Sequence, residues 1–315
     1  MNIVLLEGLG VSDQVIERHA RRLEAMGHSF KAYPKDADPA VQAERSRDAD
    51  VIMLANMPLS ASVLEEAKSL KFIDVAFTGV DHIPMAEAKK RGIAVSNASG
   101  YATQAVAELC ISFMIQLLRN VSQTEQRCRN GGTKDGLVGR LLHGKTVGIV
   151  GAGAIGRQVA TLCKAFGCTV LAYNRSAVSS PVIDEQVSLH ELLQRADIVS
   201  LHCPLTDATR GLIGKEELAL MKKSALLINT ARGGVVDSAA LAQALMNGDI
   251  AGAACDVFEM EPPLPVDHPL LHCPNTIVTP HIAFASQESM EMRADIVFDN
   301  LYAWLEGKQL NAVSL

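Results

Sequence analysis

The sequence contains no Cys-x-x-Cys pair, no basic run longer than Lys89-Lys90-Arg91 and no apolar stretch near the ~18 residues that a membrane span requires. Its seven cysteines, Cys110, Cys128, Cys163, Cys168, Cys203, Cys255 and Cys273, are odd in number and scattered. That pattern argues against a disulfide framework and predicts reduced thiols in the cytoplasm. It also leaves no ligand pair at the short spacing of a zinc site, so no metal is expected. The net charge is −6, which argues against nucleic acid or an anionic membrane as a partner. The start, Met1-Asn2-Ile3-Val4-Leu5-Leu6-Glu7, lacks a basic segment, and its apolar run stops too early for a signal peptide. Charged residues are only 20% against 48% hydrophobic, so a mostly disordered chain is excluded. What the chain does have is 315 residues, enough for two domains at about 150 residues each.

Short apolar runs alternate with helical stretches along most of that length. Strands are expected at Asn2–Leu6, Val51–Leu54, Phe72–Ala76 and Ile93–Ser96, with helices at Ser12–Met26 (stopped by Gly27), Ser62–Ser69 and Met85–Arg91. A long, largely apolar helix follows at Thr103–Val121, and the glycine-rich stretch Arg129–Gly144 reads as a surface connection. The alternation then restarts, with strands at Lys145–Val150, Thr169–Tyr173, Ile198–Leu201, Ala225–Asn229, Gly252–Asp256 and Thr276–Val278. Helices are expected at Ile155–Phe166, Leu189–Arg195, Lys215–Met221 and Ala239–Asn247, and Ser286–Glu306 closes the chain as a long amphipathic helix. Alternating strands and helices imply parallel sheets covered on both faces, an α/β architecture.

The sharpest local motif is Gly151-Ala152-Gly153-Ala154-Ile155-Gly156, because it follows an expected strand and opens an expected helix. In that context Gly151 allows a tight turn, Gly153 lets the backbone approach a pyrophosphate, and Gly156 lets the helix pack close to the sheet. The helix start at Ala154 and Ile155 offers N–H groups and a positive dipole end to phosphates. Gly8-Leu9-Gly10 lacks the third glycine and reads as a plain loop. The next strand ends Tyr173-Asn174-Arg175-Ser176, with Asn174 standing 23 residues after Gly151, where an acid would mark NAD. Asn does not repel a 2′-phosphate, and Arg175 and Ser176 can contact one, so this stretch favours NADP. Asn174 can also hydrogen-bond a free ribose hydroxyl, which keeps NAD open.

Three later segments put polar groups at strand ends: Asn229-Thr230-Ala231-Arg232-Gly233, Asp256 through Glu261-Pro262, and Thr279-Pro280-His281. In open α/β sheets, chemistry gathers at those ends. Together with Thr78-Gly79-Val80-Asp81, Ala105-Val106-Ala107-Glu108 and Gly151–Gly156, these segments resemble the D-isomer-specific 2-hydroxyacid dehydrogenases nearly end to end. The spacings of 29 residues from Arg232 to Glu261 and 20 from Glu261 to His281 resemble that family's as well.

The resemblance implies an oxidoreductase that moves a hydride between a nicotinamide cofactor and a 2-keto or D-2-hydroxy acid. His281 is then the general acid or base, a role imidazole suits near neutral pH. Glu261 would bond its other ring nitrogen, and Arg232 would hold the substrate carboxylate with a planar, permanently charged fork. Thr78 and Gly79 would grip the same carboxylate through backbone N–H groups. Asn56, Met57, Tyr101 and Phe284 are expected to line the substrate's side-chain pocket. Asp256 would meet the nicotinamide carboxamide, and Thr103, His202, Cys203, Pro204, Thr230, Ala231 and His281 would lie at the cofactor. His268 and His272 compete with His281 for the role of base, Glu259 competes with Glu261, and His202 is open to a packing role.

Some positions depart from the family. Ala98-Ser99-Gly100-Tyr101 stands where many relatives have Pro after the Asn, and Phe284 stands where many have Trp. The loop Ala55-Asn56-Met57-Pro58-Leu59 carries no cation, which disfavours a phosphorylated substrate. The end at Leu315 is expected to leave no room for a regulatory domain, and Glu rather than Gln beside the histidine disfavours formate oxidation. Glyoxylate, hydroxypyruvate, pyruvate and bulkier keto acids stay open. The expected fold is two Rossmann-like, doubly wound parallel-sheet domains with a cleft between them. Residues 1–100 and 286–315 would form the substrate-binding domain and 101–285 the dinucleotide-binding domain. The helix from Thr103 is expected to serve a homodimer as well as a core. The alternative reading is a non-catalytic NAD(H)-sensing interaction protein of the corepressor type.

Overall fold

The computed structural model describes residues 1–314, which divide into two compact units: Met1–Ala102 with Ala285–Leu315, and Thr103–Phe284. The first unit contains β1 (Asn2–Leu5), α1 (Asp13–Ala25), β2 (Ser29–Ala32), α2 (Pro39–Ser46), β3 (Val51–Leu54), α3 (Ala61–Glu66), β4 (Phe72–Val75), α4 (Met85–Lys90) and β5 (Ala94–Asn97). Its five strands are all parallel, in the order β2-β1-β3-β4-β5. The central strands β3 and β4 are buried along their whole length, as expected of a sheet covered on both faces.

The second unit contains α5 (Thr103–Leu118), α6 (Val121–Arg129), β6 (Thr146–Val150), α7 (Ala154–Ala165), β7 (Thr169–Tyr173), β8 (Glu185–Gln186), α8 (Leu189–Arg195), β9 (Ile198–Leu201), α9 (Lys215–Leu220), β10 (Leu226–Asn229), α10 (Ser238–Asn247), β11 (Gly252–Cys255) and β12 (Thr276–Val278). Its seven parallel strands run in the order β12-β11-β10-β9-β6-β7-β8. The sequence direction reverses between β6 and β9, the switch point at which such sheets bind ligands. Register fixes which residues meet there. Val150 pairs with Tyr173 and Leu201, Leu201 with Asn229, Asn229 with Cys255, and Cys255 with Val278. Asn174, Gly151, His202, Thr230, Asp256 and Thr279 therefore follow one another along a single carboxyl edge.

The chain then returns to the first unit as α11 (Gln287–Leu305). Besides apolar residues, this helix buries Arg293 and Asn300, so its buried face is not the simple apolar stripe expected. Arg293 Nη2 donates to the Leu9 carbonyl, and Asn300 donates to the Asp74 carboxylate (3.0 Å) and the Asn97 carbonyl (3.0 Å). Burial pushes the Asp74 carboxyl well above the usual range.

Four elements differ from the sequence expectation by being present at all. The edge strand β2 reads Ser-Phe-Lys-Ala, mostly exposed, and is held by its register with β1 instead of by an apolar run. Helix α2 carries a start signal that the apolar reading overlooks: Asp38 caps Ala40 N–H (2.8 Å) and Pro39 stands at the first helical position. The helix from Thr103 stops at Leu118 because Asn120 turns left-handed (φ 52°), and α6, which buries no residue, follows. The two-residue β8 is an exposed edge. The stretch Arg129–Gly144 lies within the second unit, largely exposed, with Val138 and Leu141 open to solvent. No single helix among the described residues is long and apolar enough to cross a membrane.

Candidate active site

The glycine turn after β6 has the geometry of a phosphate cradle. Gly151 has φ +96°, and a Cβ there would lie 2.7 Å from the Cys203 nitrogen. A Cβ on Gly156 would lie 2.2 Å from the Gly151 oxygen, so helix and turn approach as only glycine permits. Around Gly153 nothing lies within 4 Å of that position, leaving the approach to the turn open. The first helical bond of α7 runs from Arg157 N–H to Gly153 O (3.0 Å), so the N–H groups of Ala154, Ile155 and Gly156 precede the helical ladder. An open approach, N–H groups outside the helical ladder and a dipole end fit a dinucleotide pyrophosphate.

Asn174 faces this turn. Its Oδ1 accepts Ala152 N–H (3.2 Å), and its amide donates to Ser176 O (3.1 Å) and Oγ (3.2 Å). Gln186 Nε2 donates to the carbonyls of Asn174 and Ser176, holding the segment from the far side. Arg175 stands exposed between them. Further along the edge, His202 Nε2 hydrogen-bonds Ser200 Oγ (2.8 Å), and burial pushes this imidazole down to about 4. Cys110 Sγ shares a hydrogen bond with Thr230 Oγ1 (3.2 Å). Burial pushes the Cys110 thiol up to about 12, so it stays protonated. Ser200 and Cys110 form a buried polar layer under this edge that the sequence did not reveal, because its members come from distant elements.

The Arg232 loop is shaped by Asn229, another residue given no role from sequence. Asn229 Oδ1 accepts Ala231 N–H (3.1 Å) and its Nδ2 donates to Arg232 O (3.1 Å), closing an Asx turn. The signal was an Asn at a strand end followed closely by Gly-Gly.

His281 Nδ1 lies 3.1 and 3.0 Å from the two carboxylate oxygens of Glu261. The imidazole is 10% exposed and the Glu261 side chain 53%. The His281 backbone is left-handed (φ 58°), unusual for a residue with a side chain. Asp256 holds it there. Its carbonyl accepts His281 N–H (2.8 Å), and its carboxylate accepts Thr279 Oγ1 (2.6 Å), Ile282 N–H (2.8 Å) and Ala283 N–H (2.8 Å). Burial raises the Asp256 carboxyl, against the pull of these hydrogen bonds. Phe284 meets the His281 ring edge-on at 5.3 Å. The competing groups pair elsewhere: His268 Nε2 donates to Glu259 (3.1 Å), and His272 Nε2 donates to the Val266 carbonyl (2.7 Å).

In the first unit, Asn56 follows β3 and Thr78-Gly79 follow β4, at the carboxyl ends of adjacent strands. Glu7, unassigned from sequence, organises the first of these loops. Its Oε2 accepts the N–H groups of Ala55 (3.0 Å) and Met57 (2.9 Å), while Oε1 pairs with Lys35 (2.7 Å). Two of the expected pocket residues are buried. Met57 is wholly buried, and Tyr101 is 3% exposed, its ring packed against Phe77 and under the Arg293 guanidinium.

Residues 111–283 match the family described as D-isomer specific 2-hydroxyacid dehydrogenase, NAD binding domain. A glycerate dehydrogenase from Methylorubrum extorquens is 39% identical over 91% of this chain and 92% of its own length. A glyoxylate reductase from Korarchaeum cryptofilum is 38% identical over 95% and 92%. The crystal structure of an NADPH-dependent glyoxylate/hydroxypyruvate reductase from Sinorhizobium meliloti, in complex with NADP and malonate, superposes with a TM-score of 0.88 at 31% identity. That match covers 99% of this chain and 96% of the other. With its glycine turn, its row of polar strand ends and these relatives, the chain belongs to the D-isomer-specific 2-hydroxyacid dehydrogenases, oxidoreductases that work with a nicotinamide cofactor.

Proposed function

We propose that this enzyme reduces a small, unphosphorylated 2-keto acid to the D-2-hydroxy acid, with NADPH as the preferred coenzyme. The observation that carries the reading is the His281–Glu261 pair, set on the same strand edge as the Arg232 loop and the glycine turn. The nicotinamide supplies the hydride that reaches C2 of the substrate. Arg232 binds the carboxylate and polarises the neighbouring carbonyl, with the N–H groups of Thr78 and Gly79 as further donors. His281 donates its Nδ1–H to the Glu261 carboxylate and delivers a proton from Nε2 to the developing alkoxide. Phe284 and Asn56 shape the space for the substrate's side chain. Gly151, Gly153, Ala154, Ile155 and Gly156 hold the pyrophosphate, and Thr103, His202, Cys203, Pro204, Thr230 and Ala231 border the rest of the cofactor. Asp256 adds a contact to the carboxamide beyond its hold on the His281 loop. Asn174, Arg175 and Ser176 support NADPH, since no carboxylate there repels a 2′-phosphate. Relatives named for glyoxylate, glycerate and hydroxypyruvate support a substrate of two or three carbons.

Initial rates with NADPH and NADH, each against glyoxylate, hydroxypyruvate, pyruvate and phenylpyruvate, test this directly. Turnover of a small keto acid, faster with NADPH, is expected. Tight coenzyme binding without turnover of any of the four would favour the sensor reading instead. His281→Ala is expected to cut kcat by about 10²–10⁴-fold while coenzyme affinity holds. A cytoplasmic homodimer through α5 completes the proposal, supported by the partly exposed Leu109, Ile115 and Leu117 on that helix. Sedimentation at twice 33.7 kDa is the expected result.

A further inference from the structure

Two residues before Glu261 lies a second carboxylate with a second histidine. His268 is 5% exposed, and its ring meets Phe258 edge-on at 5.3 Å. Its Nε2 donates to Glu259 Oε1 (3.1 Å), and Ser238 Oγ donates to Glu259 Oε2 (2.8 Å). Ser238 is the first residue of α10, whose start is fixed by Asp237 accepting the N–H groups of Ala239 and Ala240. Glu259 is thereby tied to the start of one helix and to a histidine nine residues further on.

The backbone of the same segment is seated against the Arg232 loop. A Cβ on Gly233 would fall 1.8 Å from the Phe258 carbonyl carbon and 1.9 Å from its oxygen. The Phe258–Glu259 peptide therefore lies flush on the residue that follows Arg232. Beyond Glu261 come Pro262, Pro263 and Pro265, which restrict the chain on that side. Glu261 itself is half exposed, and holding an exposed carboxylate in one place costs side-chain and loop entropy unless its segment is already ordered.

We propose that Ser238, Glu259 and His268 form a latch that positions the Glu261 segment, so that Glu261 meets His281. The latch rests on the roles proposed above for His281, Glu261 and Arg232, and its members are positioning residues that touch neither substrate nor cofactor. Burial works to raise the Glu259 carboxyl, but its own N–H, Ser238 and His268 together hold it below the usual range. It is thus a full anion at neutral pH, which strengthens both hydrogen bonds. Gly233 transmits the constraint: a segment released at Glu259 would lift from the Arg232 loop and carry Glu261 away from the imidazole.

The test uses the whole enzyme with the fastest keto acid of the panel above and four variants: Glu261→Gln, His268→Ala, His268→Gln and the double variant Glu261→Gln/His268→Ala. His268→Ala is expected to lower kcat about tenfold with the coenzyme KM unchanged. His268→Gln places an amide nitrogen near the former Nε2 and should return kcat to within about twofold of the parent. In the Glu261→Gln background the His268→Ala change should alter kcat by less than about twofold, because its route of action is already cut. Loss of kcat through general unfolding would instead lower the thermal midpoint and recur in both backgrounds. A kcat for His268→Ala within twofold of the parent, or an equal loss in both backgrounds, overturns the latch. Should Glu261→Gln alone leave kcat intact, the pairing of Glu261 with His281 is not catalytic, and the latch falls with it.

Discussion

His202 is the residue whose burial most plainly couples this site to pH. Its imidazole is pushed from 6.5 down to about 4 by desolvation, so it remains neutral in the folded chain across the physiological range. In the unfolded chain it titrates near 6.5. Between those values the unfolded state binds the additional proton, so stability is intact above pH 6.5 and falls as pH drops towards 4. The loss is about 1.4 kcal/mol per pH unit within that window, roughly 2 kcal/mol by pH 5. Urea unfolding of the parent and of His202→Gln between pH 7 and 5 should show a slope smaller by one proton in the variant. Equal slopes would mean that His202 charges freely in the folded state. From the sequence, His202 stood open between packing and binding, and its strand-end position was readable because a strand precedes it. Its partner Ser200 was not, nor was the contact of Cys110 with Thr230, 120 residues away. By contrast, the approach of Glu261 to His281 was expected from spacing and family likeness, and the hydrogen bond is present.

Among the elements, the turn between β6 and α7 joins backbone geometry most closely to the proposed chemistry. Its glycines do different work, and two substitutions separate them. Gly156→Ala places a methyl 2.2 Å from the Gly151 oxygen, so α7 must move off the turn. A cost of about 1–3 kcal/mol in stability is expected, as for other overpacked sites, together with weaker coenzyme binding. Gly153→Ala meets no atom within 4 Å, so stability should hold while coenzyme affinity falls about tenfold or more, because the methyl enters the approach to the turn. Calorimetric unfolding and coenzyme titration on both variants check the contrast. If Gly153→Ala binds coenzyme like the parent, the phosphates do not approach this turn. Elements of this kind were legible because the strand, the glycines and the helix all point the same way. Elements held by pairing or capping alone were not. β2 has one partner strand and almost no buried side chain, and α6 buries nothing, so neither writes an apolar pattern into the sequence.

At the scale of the molecule, the chain passes between its two units twice, at Ala102–Thr103 and at Phe284–Ala285, and each unit has a sheet and a core of its own. The family match at 111–283 falls inside the second unit, which also contains the glycine turn, the Arg232 loop and the His281–Glu261 pair. Free energy of coenzyme binding therefore enters the fold through that unit. At a free coenzyme concentration 100 times Kd it adds about 2.7 kcal/mol to whatever unfolds together with the site. Hydrogen exchange of the full chain reads where that energy goes. Slowly exchanging amides of β6, β9 and β10 should gain protection of about 100-fold on adding NADPH, while those of β1, β3 and β4 stay as they were. That pattern would make the second unit the cooperative body that responds to coenzyme, with the first opening on its own. An equal gain in all six strands would show instead that the two cores open as one, so that coenzyme stabilises the loops at Asn56 and Thr78 as strongly as the glycine turn.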